Sequence, residues 1–269
     1  MATSVFRGNV VLITGASSGI GRELAHQLAA EGARLVLAAR TREKLEEVAA
    51  TCRERGGEAI VVEVDVSREH DCRRMVESCI AQYGRLDTLI NNAGRTMWSL
   101  FEDLQTLRPV EEVMKINYLG SVYCTYYALP HLKQSRGRLV GVSSLTGKTG
   151  VPTRSGYAAS KHAMAGFFDT LRIELIGSGV TVTMAYPDFV ATETRHQAFG
   201  ADGQPIGESP VREGEIMTAE ACAQQIIVAV AKRKRELIMS TRGKIGMWLK
   251  LIAPGLIDRI ALRAITRGK

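Results

Sequence analysis

The chain has 269 residues, of which 45% are hydrophobic and 23% charged, and its mean hydropathy is −0.02. That balance excludes an intrinsically disordered chain and a bundle of membrane spans, and the 26 glycines follow no triplet period, which excludes a collagen-like chain. The net charge of +7 suggests nucleic acid until it is located: seven basic residues against the single acid Asp258 lie between Arg242 and Lys269, so the body is near neutral. Without base-stacking motifs or zinc-finger spacing, nucleic acid is not an expected partner.

The predicted elements alternate. A short apolar run, Asn9 to Thr14, reads as a buried strand ending in a glycine turn, and a helix follows from Gly19 to Glu31 with Ile20, Leu24 and Leu28 on one face. Strand 33–39 precedes helix 43–55, and strand 59–64 precedes helix 67–83. Strand 87–91 leads to a long helical stretch from about Leu104 to Gln134, then to strand 138–143 and helix 155–176. Strand 180–186, helix 219–231 and strand 236–240 complete the pattern. Apolar strands separated by helices imply an α/β chain: a single-domain, doubly wound parallel sheet with helices on both faces, of the Rossmann type. No linker divides residues 1–240. Within them, the Gly- and Pro-rich segment 188–217 has little periodicity and reads as a substrate loop, while 241–269 forms a basic C-terminal extension.

The five cysteines (Cys52, Cys72, Cys79, Cys124, Cys222) are scattered without a C-x-x-C pair. That spacing fits neither a disulfide framework nor a metal site, and suits buried thiols in a reducing compartment. The N-terminus lacks a signal-peptide stretch, and no apolar run reaches the ~18 residues of a membrane helix. A cytoplasmic location follows as the expectation.

The chemistry lies in four motifs. The first strand delivers Thr14-Gly15-Ala16-Ser17-Ser18-Gly19-Ile20-Gly21 onto a helix, where glycines let a ligand approach the backbone and the helix N-terminus offers N–H groups to a phosphate. Asn91-Asn92-Ala93-Gly94 closes the fourth strand. Tyr157 and Lys161 share a helix face as i and i+4, and Ser144 stands thirteen residues before the tyrosine. Asn117 lies in the long helix. A tyrosine near pKa 10 is a poor base at neutral pH, and an adjacent ammonium favours its phenolate. Ser144, at a strand end, can donate a hydrogen bond to a carbonyl or alkoxide oxygen.

With these motifs in this order, the chain resembles the classical short-chain dehydrogenase/reductase family over roughly residues 5–240. The resemblance implies hydride transfer between a nicotinamide and a carbonyl or secondary alcohol. It makes Tyr157 the acid/base, Lys161 also a ligand of the nicotinamide ribose, Ser144 the polarising hydroxyl and Asn117 the support of a proton-relay water. It assigns the cofactor to the turn Gly15, Ser17, Ser18, Gly19, Ile20 and Gly21, the adenine to Asp65 and Val66, and the route past the ribose to Asn91, Ala93 and Gly94. Pro187, Val190 and Thr192 match a P-G-x-V-x-T segment that grips the carboxamide, except that Asp188 replaces its glycine. A catalytically silent scaffold is the minor alternative, since all four catalytic positions are filled.

NADP(H) is the expected cofactor. The second strand ends Ala38-Ala39-Arg40-Thr41 with no acid before Glu43, and an Arg at Arg40 attracts a 2′-phosphate that a carboxylate would repel; by resemblance Ser17 reaches the same phosphate. The substrate is expected to be a small hydrophobic carbonyl or alcohol. Family members commonly pair through the two long helices, which predicts a homodimer or homotetramer. His196 reads as an exposed loop histidine, and Met97 and Trp98 as either pocket mouth or core. The extension sets an apolar set (Ile245, Met247, Trp248, Leu249, Leu251, Ile252, then Leu256, Ile257, Ile260, Ala261, Ala264, Ile265) against an arginine ladder, Arg259, Arg263 and Arg267. Two readings compete: a cap over the pocket or a neighbouring subunit, or an interfacial helix making peripheral membrane contact for a lipid-like or steroid-like substrate.

Overall fold

The computed structural model describes residues 4–193, 196–207 and 216–266, with side chains to residue 263. Among them, seven strands form one parallel sheet: β1 (Val10–Thr14), β2 (Arg34–Ala39), β3 (Glu58–Glu63), β4 (Thr88–Asn91), β5 (Arg138–Val142), β6 (Thr181–Tyr186) and β9 (Glu236–Ile238). The spatial order is β3-β2-β1-β4-β5-β6-β9, and every neighbouring pair is parallel. The doubly wound sheet expected from the apolar runs is present.

The helices are α1 (Gly19–Ala30), α2 (Arg42–Glu54), α3 (Glu69–Tyr83), α4 (Arg108–Val113), α5 (Gly120–Ser135), α6 (Ser155–Glu174) and α7 (Ala219–Ala231). Alternation along each strand splits the core in two. Val11 and Ile13 of β1 face Leu24 and Leu28 of α1 and Ile226 of α7. Val10 and Leu12 face the other way, into the layer of Met75, Cys124 and Phe168 from α3, α5 and α6. Period-two side-chain direction on strands covered on both faces produces this division. All five cysteines are buried and unbridged.

Most predicted elements occur within two residues of their expected ends. The exception is the long helix, which starts at Arg108, with Pro109 in its first turn, and carries a π-helical turn at Met114–Leu119 between α4 and α5. Such turns re-aim side chains and cluster at functional sites; here one buries Asn117 completely.

The order reverses between β1 and β4, and there the first turn is tied to the fourth strand. Thr14 Oγ1 accepts hydrogen bonds from the N–H groups of Asn92 and Ala93, both at 3.0 Å. The Asn92 amide donates to the carbonyls of Thr14 and Gly15 at 3.0 and 3.2 Å. Ligands bind such sheets at this switch point, beyond the carboxyl ends of the strands.

The 188–217 segment holds more structure than its composition predicts. Two short strands, β7 (Val190–Ala191) and β8 (Met217–Thr218), pair in parallel, and Phe199 bridges to Met97 and Pro205. Residues 194–195 and 208–215 of this expected loop lie outside the described residues. After β9 the extension forms α8 (Thr241–Ile252) and α9 (Pro254–Thr266); Arg267 and the side chains of Ala264 and Ile265 lie outside the described residues.

Candidate active site

A cleft of about 680 Å³ opens over the switch point. One end is walled by Gly15, Ser17, Ser18, Ile20, Arg40, Asp65 and Val66, the middle by Asn92, Ala93 and Gly94, and the far end by Ser144, Tyr157, Lys161, Pro187, Val190 and Thr192. Residues predicted from four separate motifs therefore meet in one space.

Its backbone is shaped for close approach. Gly15 has φ +67°, and a Cβ there would stand 2.9 Å from Ala93 Cα; only glycine fits both conditions. Ser18 caps α1 without a side-chain hydrogen bond to the helix, so the first N–H groups of α1 remain available for an anion. Gly19 and Gly21 serve this geometry from behind the wall: a Cβ on Gly21 would lie 2.1 Å from the Gly15 carbonyl oxygen, and one on Gly19 3.1 Å from Thr192. At the end of β2, Arg40 is exposed beside the cleft. Asp65 accepts from the N–H and hydroxyl of Ser67 at 3.0 and 2.7 Å.

At the far end, Lys161 is 4% exposed, and its Nζ donates to the carbonyl of Val142 at 2.9 Å. Burial pushes the ammonium down to about 8, because low dielectric disfavours the charged form. The Tyr157 phenol is pushed up by burial, against the nearby charge of Arg154 and hydrogen bonds with Ser144 and Thr146. Ser144 Oγ accepts from Thr146 N at 3.3 Å, while neighbouring Ser143 donates to the Lys161 carbonyl at 3.3 Å.

Two of the expected residues stand outside the lining of the cleft. Asn91, expected along the cofactor route, is buried, and its amide donates to Thr125 at 3.2 Å; the wall there is Asn92. Successive strand residues face opposite sides, and the register puts Asn91 inward. Asn117, expected to support a relay water, has both amide protons engaged, on the Arg95 carbonyl and on Ser160 Oγ, each at 2.9 Å. Its Oδ1 accepts from Arg95 N at 2.8 Å. The side chain thus braces the 94–95 turn against α6.

Comparison with known proteins places the chain in a family. The family model described as short chain dehydrogenase matches residues 9–202. The chain belongs to the classical short-chain dehydrogenase/reductase family. Among its relatives, 11-beta-hydroxysteroid dehydrogenase 1A of Arabidopsis thaliana is 41% identical over 258 residues, 93% of this chain and 74% of the relative. The 11-beta-hydroxysteroid dehydrogenase A of Sesamum indicum is 38% identical over 257 residues, with the same coverage of 93% and 74%. The crystal structure of a short-chain dehydrogenase/reductase from Burkholderia phymatum in complex with NAD superposes with a TM-score of 0.83 at 26% identity, over 93% of this chain and 95% of that one. An alcohol dehydrogenase from the archaeon Thermococcus sibiricus, complexed with 5-hydroxy-NADP, has a TM-score of 0.73 at 25% identity, over 86% of this chain and 94% of that one.

This short-chain dehydrogenase, an oxidoreductase by family, departs from the family pattern at Asp188, and the structure explains the departure. Asp188 is absent from the described non-glycine residues with positive φ, so the backbone here does not need glycine. Its carboxylate instead accepts from Phe189 N at 2.9 Å, from Ser240 Oγ at 2.8 Å and from Arg242 Nε at 2.6 Å. These partners hold the carboxyl below its usual range although burial opposes them. The latch draws α8 onto the cleft rim, where Lys250 also donates to the Lys148 carbonyl at 2.7 Å and Gly243 packs so closely on Leu145 that a Cβ would lie 2.8 Å away.

Sequence reasoning missed Asn92, the Asp188 latch and Arg154. Arg154 stands three residues before Tyr157, a spacing that shares a helix face, and this was the available signal. His196 is exposed at the cleft rim. Met97 is fully buried with Val113 and Phe199 against Tyr157, and Trp98 lies under the Arg154 guanidinium.

Proposed function

We propose that the protein transfers a hydride between NADP(H) and a carbonyl or secondary alcohol of a hydrophobic, lipid-like or steroid-like substrate. The observation that carries this reading is the convergence of Ser144, Tyr157 and Lys161 at one end of a cleft whose other end is the glycine turn and Arg40. The nicotinamide supplies or accepts the hydride at the substrate carbon. The remaining work falls to the chain. Ser144 Oγ donates a hydrogen bond to the substrate oxygen, stabilising the charge that develops there. In reduction Tyr157 gives its phenolic proton to that oxygen, and in oxidation the phenolate takes it back. Lys161 keeps one proton on the Val142 carbonyl and has two left for the ribose hydroxyls. Pro187, Val190 and Thr192 would hold the carboxamide, and Asp65 and Val66 the adenine. The steroid dehydrogenase names of the relatives support the substrate class.

Assembly is proposed as a homodimer or homotetramer through α5 and α6, a reading supported by exposed Tyr126 on α5 and Ile173 on α6. For the extension, the latch to Asp188 supports a cap over the cleft. A second reading is favoured by exposed side chains of both helices, with Trp248 at 72% and Leu251 at 78% exposure and Arg259 and Arg263 also exposed. An exposed apolar face with cationic flanks suits the surface of an anionic membrane. No described helix is long and apolar enough to cross one.

Replacing Tyr157 by Phe should cut turnover by ~100-fold or more while NADPH still binds, because the proton donor is lost and the anchors remain; wild-type kcat in that variant would remove the assignment. Arg40→Asp should selectively lower kcat/KM for NADPH, by roughly tenfold or more through loss of charge-assisted bonds, and leave NADH use unaffected or improved. Equal NADH and NADPH efficiencies in the wild type would contradict the cofactor choice. Co-sedimentation with anionic vesicles should be salt-sensitive and disappear on truncation after Ser240 if the extension docks on lipid; a full-length chain that never pellets with vesicles leaves the cap alone.

A further inference from the structure

We propose that Arg95 anchors the cofactor, its guanidinium joining the N-terminus of α1 in binding the bridging phosphates of the dinucleotide. The proposal rests on the reading of the cleft as a nicotinamide dinucleotide site, and adds to it a residue outside the four motifs. Arg95 directly follows Asn91-Asn92-Ala93-Gly94.

The backbone brackets the place. At Ala93 the wall meets the glycine turn, since a Cβ on Gly15 would stand 2.9 Å from Ala93 Cα. One residue on, it meets the far end of the cleft, since a Cβ on Gly94 would stand 3.5 Å from Lys161 Nζ. A dinucleotide with its adenosine at Arg40 and its nicotinamide ribose at Lys161 carries its bridging phosphates past this stretch. Arg95 comes next, and Asn117 fixes its main chain, accepting from its N–H at 2.8 Å and donating to its carbonyl at 2.9 Å.

The side chain is placed, and its charge is not neutralised. Nε and Nη2 donate to one acceptor, the Gln197 carbonyl, at 3.3 and 3.0 Å. The guanidinium carbon lies 4.0 Å from the centre of the Phe199 ring. These contacts orient the plane and leave the remaining N–H groups of the fork for an anion. Arg95 and Gln197 both line the cleft. Among the described residues no ion pair holds Arg95: Glu112, the acid whose charge favours it, lies 3.6 Å from Lys115. The carboxylates of the cleft wall are also engaged elsewhere, Asp65 with Ser67 at 2.7 Å, Asp188 with Arg242 at 2.6 Å and Glu193 with Arg22 at 3.5 Å. Burial holds the Arg95 guanidinium below its ordinary value, and the charge of Arg40 depresses it further, with Arg108 adding to the repulsion. A half-buried cation facing another is unfavourable in the free protein. Phosphates lying between Arg40 and Lys161 offset that repulsion through charge-assisted hydrogen bonds.

The test is calorimetric binding to the full-length protein, without turnover. The ligands are NADPH, NADH and adenosine 2′-monophosphate, which keeps the 2′-phosphate and lacks the bridging pair. Arg95→Met retains an apolar stem on Phe199. It should weaken NADPH and NADH by the same factor, about tenfold for the loss of one charge-assisted contact, and leave adenosine 2′-monophosphate binding as in the wild type. Arg40→Asp should show the other pattern, weakening NADPH and adenosine 2′-monophosphate but not NADH. Arg95→Lys keeps the charge and loses the forked contact with Gln197, so its affinities should stay within about threefold of wild type. Arg95→Gln provides a second neutral variant if Arg95→Met does not fold. Unchanged dinucleotide affinity in a folded neutral variant, or a loss confined to NADPH, overturns the proposal. So does an Arg95→Lys as weak as the neutral variant, which assigns the effect to the Gln197 contact. A wild-type protein that binds neither dinucleotide overturns instead the reading on which the proposal rests.

Discussion

The Thr14 hydroxyl is the point on which the site depends. At the parting of β1 and β4 it accepts two backbone N–H groups, and Asn92 returns two hydrogen bonds to the glycine turn. Without these four bonds, buried donors and acceptors at the strand ends would lose their partners, at a cost of about 1–3 kcal/mol for each group. With them, the Gly15 and Ala93 backbones approach closely enough to exclude any side chain between them. The phosphate-facing end of α1 and the 92–94 wall are fixed relative to one another by the same contacts.

The far end is built by burial. α6 lies against β5, and the Lys161 amine reaches the Val142 carbonyl at the end of that strand. Asn117, held by the π-helical turn, braces Arg95 and Ser160 and so sets the position of α6 against the 94–95 turn. Burial drives the two titrating groups of the same helix in opposite directions, Tyr157 up and Lys161 down. The Asp188–Arg242 latch extends the wall into the C-terminal helices, so the cleft is completed by residues more than fifty positions apart in sequence.

Much of this was legible in the sequence, for identifiable reasons. Continuous apolar strands and period-four helices are local signals, and they gave the sheet and its winding. Ser144, Tyr157 and Lys161 are separated by spacings that a strand, a turn and one helix face convert into proximity. Asn91 and Asn92 could not be distinguished, because adjacent strand residues face opposite sides and only register decides which side is the cleft. The π-helical turn at Asn117 has no local signature. Asp188 read as a substituted glycine because its partners, Ser240 and Arg242, lie across the fold. Arg154 carries no local signal of its burial, which comes from Trp98 and Phe189 packing over it from other parts of the chain.

The central claim is direct hydride transfer within this cleft. Deuterium placed at C4 of reduced NADPH should appear on the carbinol carbon of the alcohol formed from a hydrophobic ketone, with none exchanged into water, as read by mass spectrometry of the product. Alcohol formed without that deuterium, or label released to solvent, would contradict the account.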